Sequence, residues 1–328
     1  MTDAQRQMLN HADPTLQAVN AGTLLFNASG KMGKEWFLDP VNGDDANDGL
    51  SSVSAFKTLA VAYAALTANK NEILYILGGA SSLTIASGTT GFTWAKSYTH
   101  CIGLCAGGPY GRVRMGHSGS LHIVTLFTLN AAGCIFKNIH WQLGNGHAEN
   151  LNCVLLSATA SYNYFEGCHF DAPLDAAEGA ATFTALYLTA LARSNTFRDC
   201  WFGDWTAAPS SATGALVRFL GTNAGTQFIG CTFIINTSSA SFVAVISAAN
   251  MGDNAAAYAS FQDCDFMSLA TAVNSVFTPP TTGKIAIMGC RAVGVTEWDT
   301  DASNYLLISC GAAEEANGQG GIGVVQGS

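Results

Sequence analysis

Charged side chains are scarce in this 328-residue chain: Lys, Arg, Asp and Glu make up 11% of it, with 14 basic and 23 acidic residues. The basic residues form no cluster, and the formal net charge is −9. Binding to nucleic-acid phosphates needs concentrated positive charge, so we expect no nucleic-acid partner. A surface with so few charges must be covered by Ser, Thr, Asn and Ala, which suits a protein that works inside an assembly.

The chain also lacks a long hydrophobic run. No apolar stretch approaches the roughly 18–20 residues that span a bilayer, so we expect no membrane insertion. The first 30 residues have neither the basic start nor the apolar block of a signal peptide. We therefore expect synthesis in a cytoplasm, where thiols stay reduced.

Closely spaced cysteine pairs of the zinc-binding kind are missing, although the chain contains 10 cysteines. No CxxC is present, and the wider gap between Cys101 and Cys105 is weak evidence for a metal site. Disulfides are typical of small secreted domains rather than of a chain of this length without a leader. We therefore predict free thiols and no cofactor.

What the chain does contain is a repeated phrase with a Cys between two aromatic residues. Its clearest copies are FEGCHF (165–170), FRDCWF (197–202), FIGCTF (228–233) and FQDCDF (261–266). Weaker copies begin at residues 136, 287 and 307, and the intervals between copies are 29, 32, 31, 33, 26 and 20 residues. These intervals lie in or near the range of solenoid repeats, with loops of varying length on a constant frame.

The spacing inside the phrase predicts a corner between two short strands. The first aromatic and the Cys are three residues apart and cannot face the same side of one strand, whereas the Cys and the second aromatic can. We therefore predict a strand ending at the first aromatic, a two-residue corner and a new strand beginning at the Cys. The second corner residue is mostly Gly, Asn or Asp, which tolerate left-handed backbone angles. These residues are Asn138, Gly167, Asp199, Gly230, Asp263, Gly289 and Ser309.

A second apolar segment lies about ten residues before each corner. These segments are too short for helices and carry many β-branched and aromatic residues. They lie at 123–129, 153–158, 185–191, 215–221, 242–248 and 272–277. Stacking the repeats pairs like strand with like strand in parallel, which predicts a single all-β solenoid, a parallel β-helix.

Stacking also predicts columns of like residues about 4.8 Å apart along the axis. A buried free Cys acts as a small apolar filler with a protonated, unreactive thiol, so we assign these cysteines a structural role. We expect Ile139 to end their column. The predicted columns are Cys168, Cys200, Cys231, Cys264, Cys290 and Cys310, and Phe165, Phe197, Phe228 and Phe261.

Residues 36–66 hold an opening motif, DPVNGDDANDGLS followed by AFKTL and an Ala-rich segment. This motif resembles the start of right-handed parallel β-helix proteins of the pectate-lyase-like superfamily, especially phage tailspikes and related virion proteins. Over residues 36–310 the resemblance implies a right-handed coil and a short helix that caps its first turn. A cap is needed because an open coil exposes core and strand edges. Phe56, Leu59, Tyr63 and Leu66 keep the helical spacing.

Both ends of the chain lie outside this coil. The resemblance implies that residues 1–35 form an extended attachment arm that binds capsid or tail proteins. Residues 311–328 are Gly-rich, so they form either a flexible end or a strand shared with a neighbouring subunit. We expect both segments to make contacts between chains.

The opening motif is also rich in acidic residues. Asp44, Asp45 and Asp48 are candidate calcium ligands, because hard cations bind clustered carboxylate oxygens. Their spacing does not fit an EF-hand loop, and Asp-rich and Asn-rich turns also form for local backbone reasons. We favour turns and therefore predict no metal site, with calcium as the alternative.

A second acidic cluster lies around the loop FDAPLDAAEG. Polysaccharide-cleaving β-helix enzymes use two or three carboxylates from neighbouring coils. Asp171, Asp175, Glu178 and Asp204 are the candidates if the protein is an enzyme. Acidic loop residues are usually only solvated, so we predict that none of them is catalytic.

The residue between the Cys and the second aromatic is predicted to face outward. His140 and His169 occupy this position on adjacent coils and form a candidate pH-sensitive or metal-binding pair. Asp265 and Arg291 form a candidate surface ion pair of little energetic value. Trp201, if exposed, would stack on a sugar ring or fill a subunit interface, and we favour the interface.

Two functions fit these observations. The resemblance and the lack of a convincing acid pair favour a non-enzymatic phage virion structural protein on the particle exterior. This would be a capsid decoration or cement protein, or a head spike, and a homotrimer like its relatives. The alternative is a tailspike or tail fibre that binds or cleaves host surface polysaccharide with the face formed by residues 166–204.

Overall fold

The described residues run from 33 to 310, with gaps, and so cover most of the predicted coil. The structure is a computed structural model. It describes residues 33–79, 83–85, 90–105, 113–117, 123–143, 152–171, 183–205, 214–236, 242–246, 258–269, 275–278, 284–295, 297–299 and 305–310. Nearly all of the proposed arm, the whole Gly-rich tail, Asp175 and Glu178 lie outside the described residues.

Three parallel β-sheets build a right-handed parallel β-helix, as the repeat and the resemblance together predict. Each coil adds one strand to sheet 1, then one to sheet 2, then one to sheet 3. Within the described residues, sheet 1 has ten strands, which are Glu35–Leu38, Glu72–Leu77, Thr99–Leu104, Ile135–Lys137, Tyr164–Glu166, Thr196–Arg198, Gln227–Ile229, Tyr258–Gln262, Lys284–Met288 and Tyr305–Ile308.

In the described part of the chain, the other two sheets contain eight strands each. Sheet 2 consists of Leu83–Thr84, Arg114–Gly116, His140–Trp141, His169–Phe170, Trp201–Phe202, Thr232–Ile235, Asp265–Ser268 and Arg291–Val293. Sheet 3 consists of Phe92–Trp94, Thr125–Leu129, Asn152–Leu156, Thr184–Leu188, Ala215–Phe219, Val243–Ile246, Ser275–Thr278 and Glu297–Asp299. The six apolar segments predicted from the sequence coincide with strands of sheet 3 to within a few residues.

The corner between sheets 1 and 2 uses one left-handed residue in each coil. The φ angles are 53° at Asn138, 60° at Gly167, 50° at Asp199, 62° at Gly230, 52° at Asp263, 64° at Gly289 and 54° at Ser309. All seven predicted corner residues are thus confirmed. The strands of sheet 1 reach one residue beyond the aromatic, for example to Lys137, because a single left-handed residue is enough to redirect the chain.

The corner geometry predicts a contrast between two substitutions. Gly230→Val is expected to lower the free energy of unfolding by at least about 2 kcal/mol, because a β-branched residue is strained at positive φ. A Cβ there would also lie 2.5 Å from Oδ1 of Asp199. Asp199→Gly is expected to be neutral within about 0.5 kcal/mol, since glycine relieves backbone strain. Chemical unfolding measures both, and equal losses would contradict the corner assignment.

Two columns of aromatic rings fill the interior of the coil. The first contains Phe136, Phe165, Phe197, Phe228 and Phe261, whose neighbouring ring centroids are 4.7–5.2 Å apart. The second contains Trp141, Phe170, Phe202, Phe233 and Phe266, with separations of 4.6–5.1 Å. All of these rings are buried. The predicted phenylalanine column is therefore confirmed, and Phe136 extends it.

The cysteines that follow each corner stack as a column of free thiols. Most of these thiols donate to the carbonyl oxygen of the first residue of the phrase one coil earlier, as Cys231 does to Phe197 at 3.4 Å and Cys290 to Phe261 at 3.4 Å. The Cys200 thiol donates to Arg198 O at 3.2 Å, within its own corner. Burial raises the pKa of the Cys200 thiol well above its usual value, so that thiol stays protonated.

Ile139 does not end this column, which corrects the sequence prediction. The backbone N–H of His169 bonds to Ile139 O, and the N–H of His140 bonds in the same way to Val113 O. Val113 is buried and therefore continues the column by one more coil. The repeat phrase is not recognisable around Val113, so this coil could not be predicted from the repeat.

Replacing one sulfur atom of the cysteine column by oxygen is expected to destabilise the coil. Cys231→Ser is expected to lower the free energy of unfolding by about 1–3 kcal/mol, because a hydroxyl on a shorter bond reaches Phe197 O poorly. The half-buried Cys105 donates to Asn138 O at 3.5 Å and provides the control. Cys105→Ser is expected to cost about 0.5 kcal/mol or less. If Cys105→Ser lowers the free energy of unfolding as much as Cys231→Ser does, the cysteine column is not a dry, packed interior.

The helix Leu59–Ala65 covers the first coil, and Thr58 is its N-cap. Leu59, Ala62 and Leu66 are buried in the core cluster. The helix is shorter than the predicted spacing from Phe56 to Leu66, because Phe56 precedes the cap and Leu66 already has extended backbone angles. In the described part of the chain, no helix is long and apolar enough to cross a membrane.

Candidate functional site

Two of the four candidate catalytic carboxylates, Asp171 and Asp204, lie in the described residues. Asp171 directly follows a strand of sheet 2 and is fully buried. Its Oδ2 atom lies 3.3 Å from Nε2 of His140. Asp204 is only partly buried. Asp171 therefore faces a histidine and not a solvent-filled groove where a sugar would bind.

His140 and His169 occupy paired positions on adjacent strands of sheet 2. Their rings stack with centroids 4.2 Å apart and planes 23° from parallel. Both side chains are buried, although their position in the repeat predicted exposure. Nε2 of His169 lies 2.7 Å from Gly203 O and must carry the proton there, because a carbonyl oxygen only accepts.

Burial keeps both imidazoles neutral. It lowers the pKa of His140 to about 4, helped by the positive charge of Arg114 and opposed by Asp204. Burial also lowers the pKa of His169, and the neighbouring His140 adds to this effect. A neutral imidazole has one nitrogen with a free lone pair, which is the form that binds metal ions.

His140, His169 and Asp171 form one group of possible metal ligands, with one ligand atom from each lying within 4.8 Å of the others. The sequence analysis identified the histidine pair but placed Asp171 in a separate acidic cluster. The missed signal was strand parity: Asp171 comes two residues after His169, so both point to the same face of sheet 2.

The acidic side chains of the opening motif hold turns together. Asp45 accepts hydrogen bonds from the backbone N–H groups of Lys57 and Thr58, each at 2.9 Å. Asp44 and Asp48 likewise accept from nearby backbone amides. Slight burial raises the pKa of Asp45, but the bonds from Thr58 and Lys57 outweigh it and the net shift is downward. These contacts agree with the turn interpretation.

A second polar cluster lies on the outer face of sheet 1 and escaped the sequence analysis. Nζ of Lys137 lies 3.1 Å from Oε1 of Glu166, and both side chains are 7% exposed. The hydroxyl of Tyr164 donates to Oε2 of Glu166 at 3.0 Å. Burial and the negative charge of Glu166 raise the pKa of Tyr164 far above its usual value. Glu166 is therefore fully engaged within the fold.

The outward positions further along sheet 2 behave as predicted. Arg291 donates to Asp265 through Nε at 2.7 Å and through a second nitrogen at 2.8 Å. This pair is exposed, so the predicted surface ion pair is confirmed. Trp201 is partly buried, whereas Trp205 is 40% exposed.

Comparison with known proteins identifies the fold but not the family. No protein-family model matches the chain, and no curated protein sequence matches it. Pectate lyase Pel9A has a similar structure, with a TM-score of 0.58 and 15% identity over 80% of this chain and 64% of the lyase. A rhamnogalacturonan lyase gives a TM-score of 0.59 and 16% identity over 84% of this chain and 73% of that one.

A third similar structure is the pectin methylesterase PemA from Erwinia chrysanthemi, with a TM-score of 0.55. Its identity is 10% over 86% of this chain and 91% of the esterase. At such low identities the likeness concerns the backbone alone, and function has to be argued from the site. The chain is a right-handed parallel β-helix of the kind found in pectate lyases and pectin methylesterases.

Proposed function

We propose that the protein is a non-enzymatic structural component of a phage virion, a capsid decoration or head-spike protein that assembles as a homotrimer. Large apolar side chains exposed on neighbouring coils carry this proposal. Tyr162 is 70% exposed, and Tyr98, Leu191 and Leu220 are each nearly half exposed. They lie in turns that lead from sheet 3 to sheet 1. Such an apolar edge on a chain with 11% charged residues suits contact with further copies of the chain.

Hydrogen bonds place these turns above one another. The N–H of Tyr162 bonds to Arg193 O in the next coil, and the N–H of Leu220 bonds to Leu188 O in the coil before it. Tyr162, Leu191 and Leu220 therefore lie along one edge of the solenoid. We call this set the turn edge. Three copies meeting at their turn edges would bury these side chains together.

The state of three described acidic residues supports a non-enzymatic role. Glu166 is paired with Lys137, Asp171 faces His140, and Asp265 is paired with Arg291. General acid and base catalysis on a sugar requires carboxylates within reach of the substrate. These three carboxylates are already engaged in contacts within the fold.

Oligomeric state and particle content test the proposal. We expect light scattering to give a trimer for the wild type and a monomer for the double variant Tyr162→Lys, Leu191→Lys. The control is Val53→Lys, at a side chain that is 94% exposed in the opening motif. We also expect antibody labelling to find the protein on purified phage particles. A monomeric wild type that is missing from the particles would overturn the proposal.

Glycan processing is the second candidate, favoured by the likeness to a pectate lyase, a rhamnogalacturonan lyase and a pectin methylesterase. Exposed Trp205 and Tyr162 offer aromatic faces on which a sugar ring can stack. Incubation with host surface polysaccharide separates the two functions. New reducing or unsaturated ends, lost in both Asp175→Asn and Glu178→Gln, would replace the structural proposal with an enzymatic one.

A further inference from the structure

We propose that His140, His169 and Asp171 bind a divalent transition-metal ion such as zinc, on the outer side of sheet 2. This site is independent of the proposed virion role. Its basis is the convergence of two imidazoles and a carboxylate within 4.8 Å, on two adjacent coils and in a buried environment. Two imidazoles with one carboxylate form a ligand set typical of zinc and of iron(II).

The hydrogen bonding of His169 leaves one of its ring nitrogens available to bind a metal ion. Its Nε2–H donates to Gly203 O, which leaves the lone pair on Nδ1. A hydrogen bond from the non-ligating nitrogen to a backbone carbonyl is the usual way in which a metal-binding histidine is oriented. The Nδ1 atom of His169 is buried and has no hydrogen-bond partner among the described residues. Buried nitrogens of this kind normally have a partner.

The distances fit a site that closes around an ion. Ligand atoms of a tetrahedral zinc site lie about 3.3 Å apart, given zinc–nitrogen bonds of about 2.0–2.1 Å. His140 Nε2 and Asp171 Oδ2 are already 3.3 Å apart, at hydrogen-bond distance. An ion would replace this hydrogen bond, and the proton on Nε2 of His140 would move to Nδ1 of the same ring. Lone pairs of two parallel rings do not converge, so the ring of His169 must tilt further than its present 23° to complete the site. The ring of His169 can tilt about the hydrogen bond between its Nε2–H and Gly203 O.

Charge and donor type determine which ion is expected. The fully buried carboxylate of Asp171 would supply a negatively charged oxygen ligand to a dication. Imidazole nitrogen favours zinc, cobalt(II), nickel(II) or iron(II) over magnesium and calcium, which prefer all-oxygen sites. Three protein ligands leave a fourth position for water or another small ligand.

Metal loading during refolding tests the site, since a buried centre is best filled as the chain folds. The full chain is unfolded with a chelator, refolded separately with Zn²⁺ or Mg²⁺, desalted and measured by elemental analysis. We expect one zinc ion per chain and no magnesium. Refolding with Co²⁺ is expected to give the visible absorption bands of a tetrahedral centre.

Matched variants distinguish this site from incidental binding. His140→Gln, His169→Gln and Asp171→Asn are each expected to weaken zinc binding by at least about tenfold. His100→Gln is the control: His100 is also buried, and its Nδ1 accepts the N–H of Ile135 at 3.1 Å. Zinc retained in all three site variants, or lost equally in His100→Gln, would overturn the proposal.

If the site variants fail to fold, anomalous scattering at the zinc edge from crystals of the wild-type protein decides the question. A peak between His140, His169 and Asp171 supports the site. A peak elsewhere, or no stoichiometric ion in any preparation, overturns it.

Discussion

Replacing Phe228 with alanine is expected to lower the free energy of unfolding by about 3–5 kcal/mol. Phe228 is fully buried, and its ring stacks between Phe197 at 4.8 Å and Phe261 at 4.7 Å. The parallel backbone ladders fix the coil spacing at about 4.8 Å. The neighbouring rings therefore cannot move together to fill the gap, and the cavity persists. Unfolding in guanidinium chloride, followed by circular dichroism, measures the loss.

Two controls separate cavity formation from a general sensitivity of the coil. Phe228→Leu keeps most of the volume and is expected to cost about 1.5 kcal/mol or less. Val53→Ala, at a side chain that is 94% exposed in the opening motif, is expected to stay within about 0.5 kcal/mol. A loss below about 1 kcal/mol for Phe228→Ala would show that the aromatic column is not the packed interior described above.

Removing the carboxylate of Glu166 is expected to have an effect of similar size, about 3–5 kcal/mol, because Glu166→Ala leaves the buried Lys137 charge without a partner. The Nζ–Oε1 distance is 3.1 Å, and both side chains are almost completely buried. Tyr164 also loses the acceptor of its hydroxyl hydrogen bond. Equilibrium unfolding at neutral pH measures this change.

Removing Lys137, the other member of the pair, is expected to lower the free energy of unfolding by a smaller amount. Arg198 pairs with Glu166 in the register of sheet 1, so Lys137→Met leaves a cation beside the carboxylate. The double variant Lys137→Met, Glu166→Leu is expected to be neutral or stabilising, since an apolar pair avoids the desolvation cost. The exposed Asp265–Arg291 pair is the matched control, and Asp265→Ala should cost about 1 kcal/mol or less. Equal costs for Glu166→Ala and Asp265→Ala would contradict this account.

The corners and the interior could be predicted from the sequence because both depend on the repeat itself. Left-handed backbone angles select Gly, Asn and Asp, so the corners at Asp199 and Gly230 are visible in the residue types alone. Strand parity and the stacking of like residues then place Cys231 and Phe228 inside the coil. These inferences needed only local chemistry and the spacing between the copies of the phrase.

Side-chain contacts between adjacent coils were harder to predict, although equivalent positions in successive copies of the phrase indicate them. Lys137 and Glu166 both directly follow the first aromatic of their copies, so stacking pairs them. Asn163 and Asn195 both lie two residues before that aromatic, and Asn163 Nδ2 donates to Asn195 Oδ1 at 3.0 Å. Comparing each column for complementary side chains would have found both pairs.

The burial of the histidine pair could not be predicted from the repeat. Parity places His140 and His169 on the outer side of sheet 2, where a bare coil would expose them. Both are nevertheless buried, with Asp171 Oδ2 and Gly203 O in contact with their rings. For this reason, the sequence identified the pair and its adjacency but not its neutral, partner-poor environment.

The stacking of like residues is tested most directly by locating the sulfur atoms in crystals by anomalous scattering. We predict a row of separate peaks for Cys168, Cys200, Cys231, Cys264 and Cys290, with neighbours about 4.8 Å apart. Peaks paired at the disulfide distance of about 2 Å, or scattered without a common line, would contradict the parallel β-helix described above.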